Sequence, residues 1–503
     1  MHVGKSMKIL FIYSFSFEVP SKNKPINPDH SQIGISYISS LLKEHGHQTK
    51  LLALPRIFGD NFRDNIDSRI YDFKPKLICF TAVSTEFPFI SSVAAYIKKQ
   101  YPDIYLLAGG VHVSLNPERV LDNTFDALCI GEGEYPALEL VSQLEMGSTP
   151  TSIENLWIKH GSEIEKNTAR QFVQDIDSLP FPDREMWLEW TDDKLLNQKN
   201  LRYTVLLGRG CPFQCAYCSN HALKKIAPGP YVRFRSPNNI VEEIKTLCEK
   251  FPLTSEIYLE IETIGANKKW AMELCATLEK YNSTLTSPLA YGVNLRITPN
   301  DNLETLFEAF KKCNISFVNI GLESGSEKIR REVLKRNYSN QDVISAVQLA
   351  RKFGIKVCFF NLVGLPGETV EDFNETIKMN RICLPDWFQL SIFYPYQGTD
   401  LYKLCIDKGY IKEDMETKWE RRVAVLDYPE FSKKQIQRCF YWFDYYVYRG
   451  HKPTLALIGT ALYRATQYRP ILFIFFKIVN RTISLLGIRY LVKKLHALNK
   501  KND

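Results

Sequence analysis

The chain has 503 residues, 45% hydrophobic and 24% charged, with a formal net charge of +8. That length allows roughly three or four domains, and the ordinary apolar content allows a large buried core. Residues 453–503 hold nine Lys/Arg and one acid, the whole charge excess, so the body from 1 to 452 is balanced and offers no general nucleic-acid surface.

The N-terminal stretch alternates short apolar runs with helical patterns. No small-residue cleavage site follows Ile9–Ile12, so that run reads as a first strand and not as a signal peptide; Met7 is an alternative start. Strands are predicted at Lys8–Tyr13, Gln48–Leu52, Leu77–Thr81, Tyr105–Ala108 and Ala127–Ile130. Helices are predicted at Gly34–His45, Phe89–Lys99, Asn116–Leu121 and Tyr135–Glu145. This order gives an α/β domain over residues 1–147 with a doubly wound parallel sheet. Ligands of such sheets bind beyond the carboxyl ends of the strands. Two glycine-rich turns fall there, Gly109-Gly110-Val111-His112 and Gly131-Glu132-Gly133-Glu134. Glycine lets backbone amides approach a flat or charged ligand.

Residues 148–197 read as an irregular linker, with the proline-set stretch Ser178–Asp183. A second βα series then runs over 198–400. Its strands are Tyr203–Leu207, Glu256–Ile261, Ala290–Leu295, Phe317–Gly321, Lys356–Leu362 and Phe388–Phe393. Helices between them include Ile240–Lys250, Lys268–Lys280, Leu303–Lys312 and Asn340–Phe353. Six such units fit a partial (β/α)6, TIM-like barrel, whose site lies at the carboxyl ends of the strands.

The loop leaving the first of these strands carries Cys211, Cys215 and Cys218 in a C-x3-C-x2-C spacing. Three thiolates within eight residues can reach one metal centre, and soft thiolates suit iron–sulfur clusters, zinc or copper. On a four-iron cube they leave one iron open to a substrate. His221 offers an alternative, a closed tetrahedral zinc site with the same cysteines. The other nine cysteines are scattered without framework spacing and read as buried thiols of a reducing compartment.

The cysteine spacing, with Tyr217 before the last cysteine, resembles the signature of the radical S-adenosylmethionine (SAM) enzymes. The GGVH and GEGE turns ahead of it, with Ile320–Ser326 (IGLESGS) and Gly364–Glu368 (GLPGE) behind it, resemble the cobalamin-binding subgroup. That resemblance implies a [4Fe–4S] cluster on Cys211, Cys215 and Cys218, whose fourth iron chelates SAM. It implies SAM contacts from Tyr217, Glu262, Arg296, Glu323, Ser324, Asn361, Gly364 and Pro366. Glu262 and Arg296 would meet the ammonium and carboxylate, Glu323 and Ser324 the ribose, and the Gly364–Gly367 turn the adenine. Cobalamin contacts are implied for Gly109, Gly110, Val111, His112, Gly131, Glu132 and Gly133. No D-x-H-x-x-G motif occurs, and Asp29-His30 is adjacent, so no histidine is expected on cobalt.

The implied activity is reductive cleavage of SAM to a 5′-deoxyadenosyl radical. That radical takes hydrogen from an unactivated carbon, and methyl transfer from methylcobalamin follows. Cyclisation or rearrangement without methylation is the alternative, since the fold does not choose among them. A non-catalytic cobalamin sensor and a zinc-stabilised binding protein are further alternatives. The implied partners are a reduced flavodoxin- or ferredoxin-type electron donor and a small-molecule or lipid-like substrate, with no nucleic acid.

Residues 401–503 are expected to be mainly helical. The aromatic run Phe440–Tyr448 reads as packing on the barrel or as a wall of the substrate pocket. Pro470–Val492 is apolar but interrupted by Lys477, Asn480, Arg481 and Arg489, which suits an interfacial amphipathic helix better than a spanning one. The expected location is therefore cytoplasmic, with two readings for the tail 453–503: helix packing on the barrel, or peripheral contact at the inner face of the membrane.

Overall fold

The computed structural model describes residues 6–15, 28, 31–56, 62–121, 124–197, 201–299, 302–412 and 420–467. The first sheet holds β1 (Lys8–Phe15), β2 (Gln48–Pro55), β3 (Leu77–Thr81), β4 (Tyr105–Gly109), β5 (Ala127–Cys129), β6 (Leu156–His160) and β7 (Glu163–Lys166). Their order is β2-β1-β3-β4-β5-β6-β7, parallel through β5. The order reverses between β1 and β3, which opens a ligand crevice at their carboxyl ends. Buried on both faces, β1 sends Leu10 and Ile12 to the helices Phe62–Phe73 and Phe87–Gln100. Its Ile9 and Phe11 go to Ile33–Glu44 and Glu134–Glu145.

The linker departs from expectation. Within 148–197, β6 and β7 form an antiparallel hairpin that extends the first sheet beyond β5. Leu156 and Ile158 alternate inward, and Gly161 turns the chain with a φ of +66°. The proline stretch is sewn to the helix Ile33–Glu44. Asp183 accepts from Ser39 Oγ and pairs with Lys43 Nζ, both at 2.6 Å, and Trp187 Nε1 donates to Ser36 Oγ at 2.8 Å.

The second sheet is an open, curled half-barrel of six parallel strands. They are β8 (Leu201–Leu206), β11 (Thr254–Glu260), β12 (Ala290–Leu295), β13 (Ile315–Glu323), β14 (Lys356–Val363) and β15 (Trp387–Ile392), hydrogen-bonded in sequence order. A two-residue hairpin, β9 (Gly208–Arg209) with β10 (Arg233–Phe234), interrupts the first unit. Side chains alternate with period two. Ile257, Leu259, Val293, Val318, Ile320, Val357 and Phe359 face the helices. Tyr258, Asn294 and Asn319 line the concave face and bond one another: Tyr258 Oη donates to Asn294 Oδ1 at 2.6 Å, and Asn319 Nδ2 donates to Tyr258 Oη at 3.0 Å.

Capping boxes start three of the later helices. Ser339 with Asp342 opens Asn340–Lys352, Thr369 with Asp372 opens Val370–Cys383, and Ser432 with Gln435 opens Lys433–Tyr448. The last of these carries the aromatic run. Phe443 meets Phe388 edge to face and Tyr448 stacks on it, with centroids 4.7 and 5.6 Å away, and Phe440, Phe443 and Tyr448 are buried. They cover the outer face of β15, so the run is packing and not a wall of the concave face. Residues 468–503, with the apolar run Ile471–Phe476, and the pair Asp29-His30 lie outside the described residues.

Candidate active site

The cysteine loop follows β9 at the carboxyl end of the half-barrel. Cys218 caps the helix Ser219–Leu223, and its N–H donates to Cys215 O at 3.0 Å, which folds the loop back on itself. All twelve cysteines are free, and Cys211 and Cys218 are partly exposed. Burial pushes the Cys218 thiol up to about 12, with smaller contributions from Glu262, Cys215 and Cys211. Burial likewise raises Cys211, and again Glu262 and Cys215 add to it. The three sulfurs therefore sense each other. Thiols placed so become thiolates when a metal displaces their protons.

Two observations weigh against the zinc alternative. A single zinc needs its ligands about 2.0–2.3 Å away on a tight tetrahedron. Among the described residues no three His, Cys, Asp or Glu side chains close on a point in that way. His221 instead points Nε2 at Asp400 Oδ2, 3.5 Å away.

Around the loop stand residues from neighbouring strand ends. Arg296, just past β12, donates from Nη1 to Cys215 Sγ at 2.7 Å and lies 3.8 Å over the Phe213 ring. Its Nε is buried without a partner. Glu262, just past β11, is exposed and accepts from Asn220 Nδ2 at 2.7 Å; Asn220 in turn accepts from Tyr231 Oη at 2.6 Å. Glu260 lies on the concave face, and burial pushes its carboxyl up to about 7, reinforced by Glu262.

Tyr217 and Glu323 hold each other. Glu323 Oε1 accepts from Tyr217 Oη and from Arg336 Nη1, each at 2.9 Å, and Arg336 Nη1 lies 2.8 Å from Tyr217 Oη. Arg336 Nη2 also donates to Gly321 O at 3.0 Å. Arg336 was not foreseen, because nothing local marks its partner across 119 residues.

Three residues expected to touch SAM are turned away from the concave face. Asn361 shares its strand parity with Val357, Phe359 and Val363, so it faces the helix layer and exchanges bonds with Asn380 at 2.9 and 3.3 Å. Ser324 is fully buried; its hydroxyl lies 3.5 Å from Thr376 Oγ1 and accepts the Ser326 N–H. Gly364 packs against Ile436 of the helix Lys433–Tyr448. The Gly364 and Leu365 amides donate to Glu368 Oε2 at 2.7 and 3.1 Å, so they do not face a ligand. Burial pushes Glu368 up to about 8, against the pull of those two amides. Pro366 is buried in the same turn.

The first sheet brings its two glycine turns to one end. Gly110 has a φ of +96°, and a Cβ there would lie 2.8 Å from Thr81 Oγ1, so only glycine fits without strain. The helix Val111–Leu115 follows, and its His112 is buried. The His112 ring sits 4.6 Å from Phe87, with Nδ1 3.2 Å from Ser84 Oγ and 3.5 Å from Asn116 Nδ2. Burial, helped by Arg119, lowers it to about 4. Its Nδ1 braces the loop after β3.

The Gly131 amide donates to Ser114 Oγ at 2.9 Å. Glu132 and Glu134 point across to the half-barrel. Glu132 Oε1 accepts from Arg209 Nη1 at 2.9 Å, Glu132 Oε2 from Arg233 Nη1 at 3.0 Å, and Glu134 Oε1 from Arg209 Nη2 at 2.5 Å. The Glu132 carboxylate is thus engaged by arginines and not free for a cofactor. The loop Tyr394–Thr399, after β15, meets the helix Val111–Leu115 of the first domain: a Cβ on Gly398 would lie 3.0 Å from Leu115 Cβ. Arg421 Nε donates to Tyr396 Oη at 2.7 Å.

Comparison with known proteins agrees with this arrangement. Residues 24–141 match the B12 binding domain model, and residues 205–379 match the Radical SAM superfamily model. An uncharacterised methyltransferase of Pyrococcus horikoshii is 27% identical over 411 residues, covering 81% of this chain and 85% of its own length. An anaerobic magnesium-protoporphyrin IX monomethyl ester cyclase of Rubrivivax gelatinosus is 25% identical over 409 residues, 80% of this chain and 70% of its own. The structure of the radical SAM methyltransferase TsrM from Kitasatospora setae, with cobalamin and a [4Fe–4S] cluster bound, shares the fold. It superposes with a TM-score of 0.63 at 16% identity over 80% of this chain and 75% of that one. With a B12-binding domain ahead of a cysteine-bearing half-barrel, the chain belongs to the cobalamin-binding radical SAM family.

Proposed function

We propose that this chain is a methyltransferase acting on an unactivated carbon through a [4Fe–4S] cluster, SAM and cobalamin. The observation that carries the reading is the three-cysteine loop at the carboxyl end of the half-barrel, facing the glycine turns of the B12-binding sheet. When bound, the cofactors supply the electron, the radical and the methyl group. The chain's part is to hold and orient them. Cys211, Cys215 and Cys218 hold the cluster. The free, buried Nε of Arg296 suits a carboxylate, and the exposed Glu262 suits an ammonium. Tyr217 lines the loop with its hydroxyl tied back to Glu323. Gly109, Gly110, Val111, Gly131 and Gly133, at and just past the ends of β4 and β5, are the proposed cobalamin contacts. Ser324, Asn361, Gly364, Pro366, His112 and Glu132 support these elements instead of touching the cofactors. A reduced flavodoxin- or ferredoxin-type protein is the proposed electron donor.

Methyl transfer has a test that needs no substrate. Reduced anaerobic protein given corrinoid and methyl-labelled SAM should carry label onto the corrinoid, read by mass spectrometry. SAM cleavage with an unlabelled corrinoid would instead favour cyclisation or rearrangement, the reading suggested by the 25% identical cyclase.

A lipid-like substrate and peripheral membrane contact form the second part of the proposal. No helix among the described residues is long and apolar enough to cross a membrane. The helix Thr454–Gln467 buries Leu457 and Ala461 and leaves Leu455 77% and Leu462 48% exposed, seven residues apart on one outer face. The basic tail follows directly. Each Lys/Arg near anionic lipid is worth about 1 kcal/mol. Full-length protein should sediment with anionic vesicles at low salt and be released as salt rises. Equal behaviour of a chain truncated at Pro453 would refute membrane contact.

A further inference from the structure

The hairpin β9–β10 presents a physical difficulty of its own. Arg209 and Arg233 are direct cross-strand partners on a ladder only two residues long. Like charges set opposite one another destabilise a strand pair. Both are poorly hydrated, with side chains 15% and 5% exposed. Their compensation comes from outside the half-barrel, from Glu132 and Glu134 on the turn after β5. The linker joins the same knot. Val173 N–H donates to Glu132 Oε2 at 2.7 Å, and Arg233 Nη1 donates to Val173 O at 2.8 Å. Burial alone would raise the Glu132 carboxyl, but Arg209 and Arg233 together hold it below the usual carboxylate range.

Arg209 is separated from Cys211 by Gly210 alone. Gly210 has a φ of +86°, and a Cβ there would lie 2.1 Å from Tyr231 O. The link between the paired arginine and the first cysteine therefore has little slack. On the other side of the loop, Tyr217 is pinned by Glu323 and Arg336.

We propose that Glu132, Glu134, Arg209 and Arg233 form an interdomain clasp that positions the cysteine loop. The hairpin launching Cys211 is electrostatically satisfied only when the B12-binding sheet is docked on the half-barrel. Docking of the first domain and ordering of the cluster loop are thus one event. The four are positioning residues. The inference rests on the reading of Cys211 as a cluster ligand for its consequence, but its test does not.

Amide hydrogen exchange on the full-length chain without cofactors tests it. Glu132→Gln keeps the shape and removes one charge. Exchange at residues 208–211 and at Val173 should speed up about tenfold or more, the scale of a lost charge-assisted bond. Amides at the centres of β3 and β12 should be unchanged. The double variant Glu132→Gln/Arg233→Met has one arginine and one glutamate and is balanced again. It should recover much of the slow exchange at 208–211, a rescue that simple loss of packing would not give. After reconstitution, the single variant should hold less iron than the double. Unchanged exchange at 208–211 in the single variant, equal acceleration across both sheets, or no recovery in the double variant would each overturn the clasp. Wild type that binds no iron would sink the cluster reading and leave the exchange result standing.

Discussion

Replacing Arg336 with methionine should cost about 3–5 kcal/mol of stability, the range for removing one partner of a buried ion pair. Arg336 and Glu323 have side chains only 5% and 11% exposed. The guanidinium also neutralises the carboxylate bonded to Tyr217 and bridges to Gly321 O. Without it, Glu323 stays buried, charged and in a left-handed conformation with a φ of +59°. The local chain then has both a desolvated charge and a strained residue to accommodate. Glu323→Gln should cost a comparable amount, about 3–5 kcal/mol, because it leaves the buried Arg336 guanidinium without its counter-charge. Combining the two should be milder than the sum, since the uncompensated charge is gone. Urea unfolding of the three variants beside wild type measures this. Small effects of both Arg336→Met and Glu323→Gln would mean the triad carries no buried charge pair.

Much of the architecture is legible in the sequence because the βα alternation is regular. Ala290–Leu295 is a strand with the same ends as predicted, and Asn340–Phe353 is one residue longer than the helix observed. Caps made the difference there, since Ser339 fixes the start. The hairpin Leu156–Lys166 escaped because its strands are short and one face is charged. The cluster loop was legible because its ligands are close in sequence. Motif likeness located Ser324 and Asn361 but not the direction of their side chains. For Asn361 the information was present: it shares parity with Val357, Phe359 and Val363, all apolar and buried. Glu368 lies in the GLPGE string itself, yet its inward carboxylate depends on the turn's three-dimensional closure. The clasp pairs and the Arg336–Tyr217 contact join residues 75 to 119 apart, for which a single sequence holds no local signal.

The largest functional effect should come from the cysteines. Three thiolates are the only ligands proposed for the cluster, so alanine at Cys211, Cys215 and Cys218 removes every protein bond to it. The fold should survive, because the loop's hydrophobic anchor Ala216 and the hydroxyl of Tyr217 are untouched. The most direct test is therefore iron content measured together with SAM cleavage, on anaerobically reconstituted wild type and the triple-alanine variant. Wild type should bind about four irons per chain and release 5′-deoxyadenosine from SAM under reduction, while the variant, still folded, should do neither. A colourless wild type holding one zinc, with no 5′-deoxyadenosine released, would contradict the account.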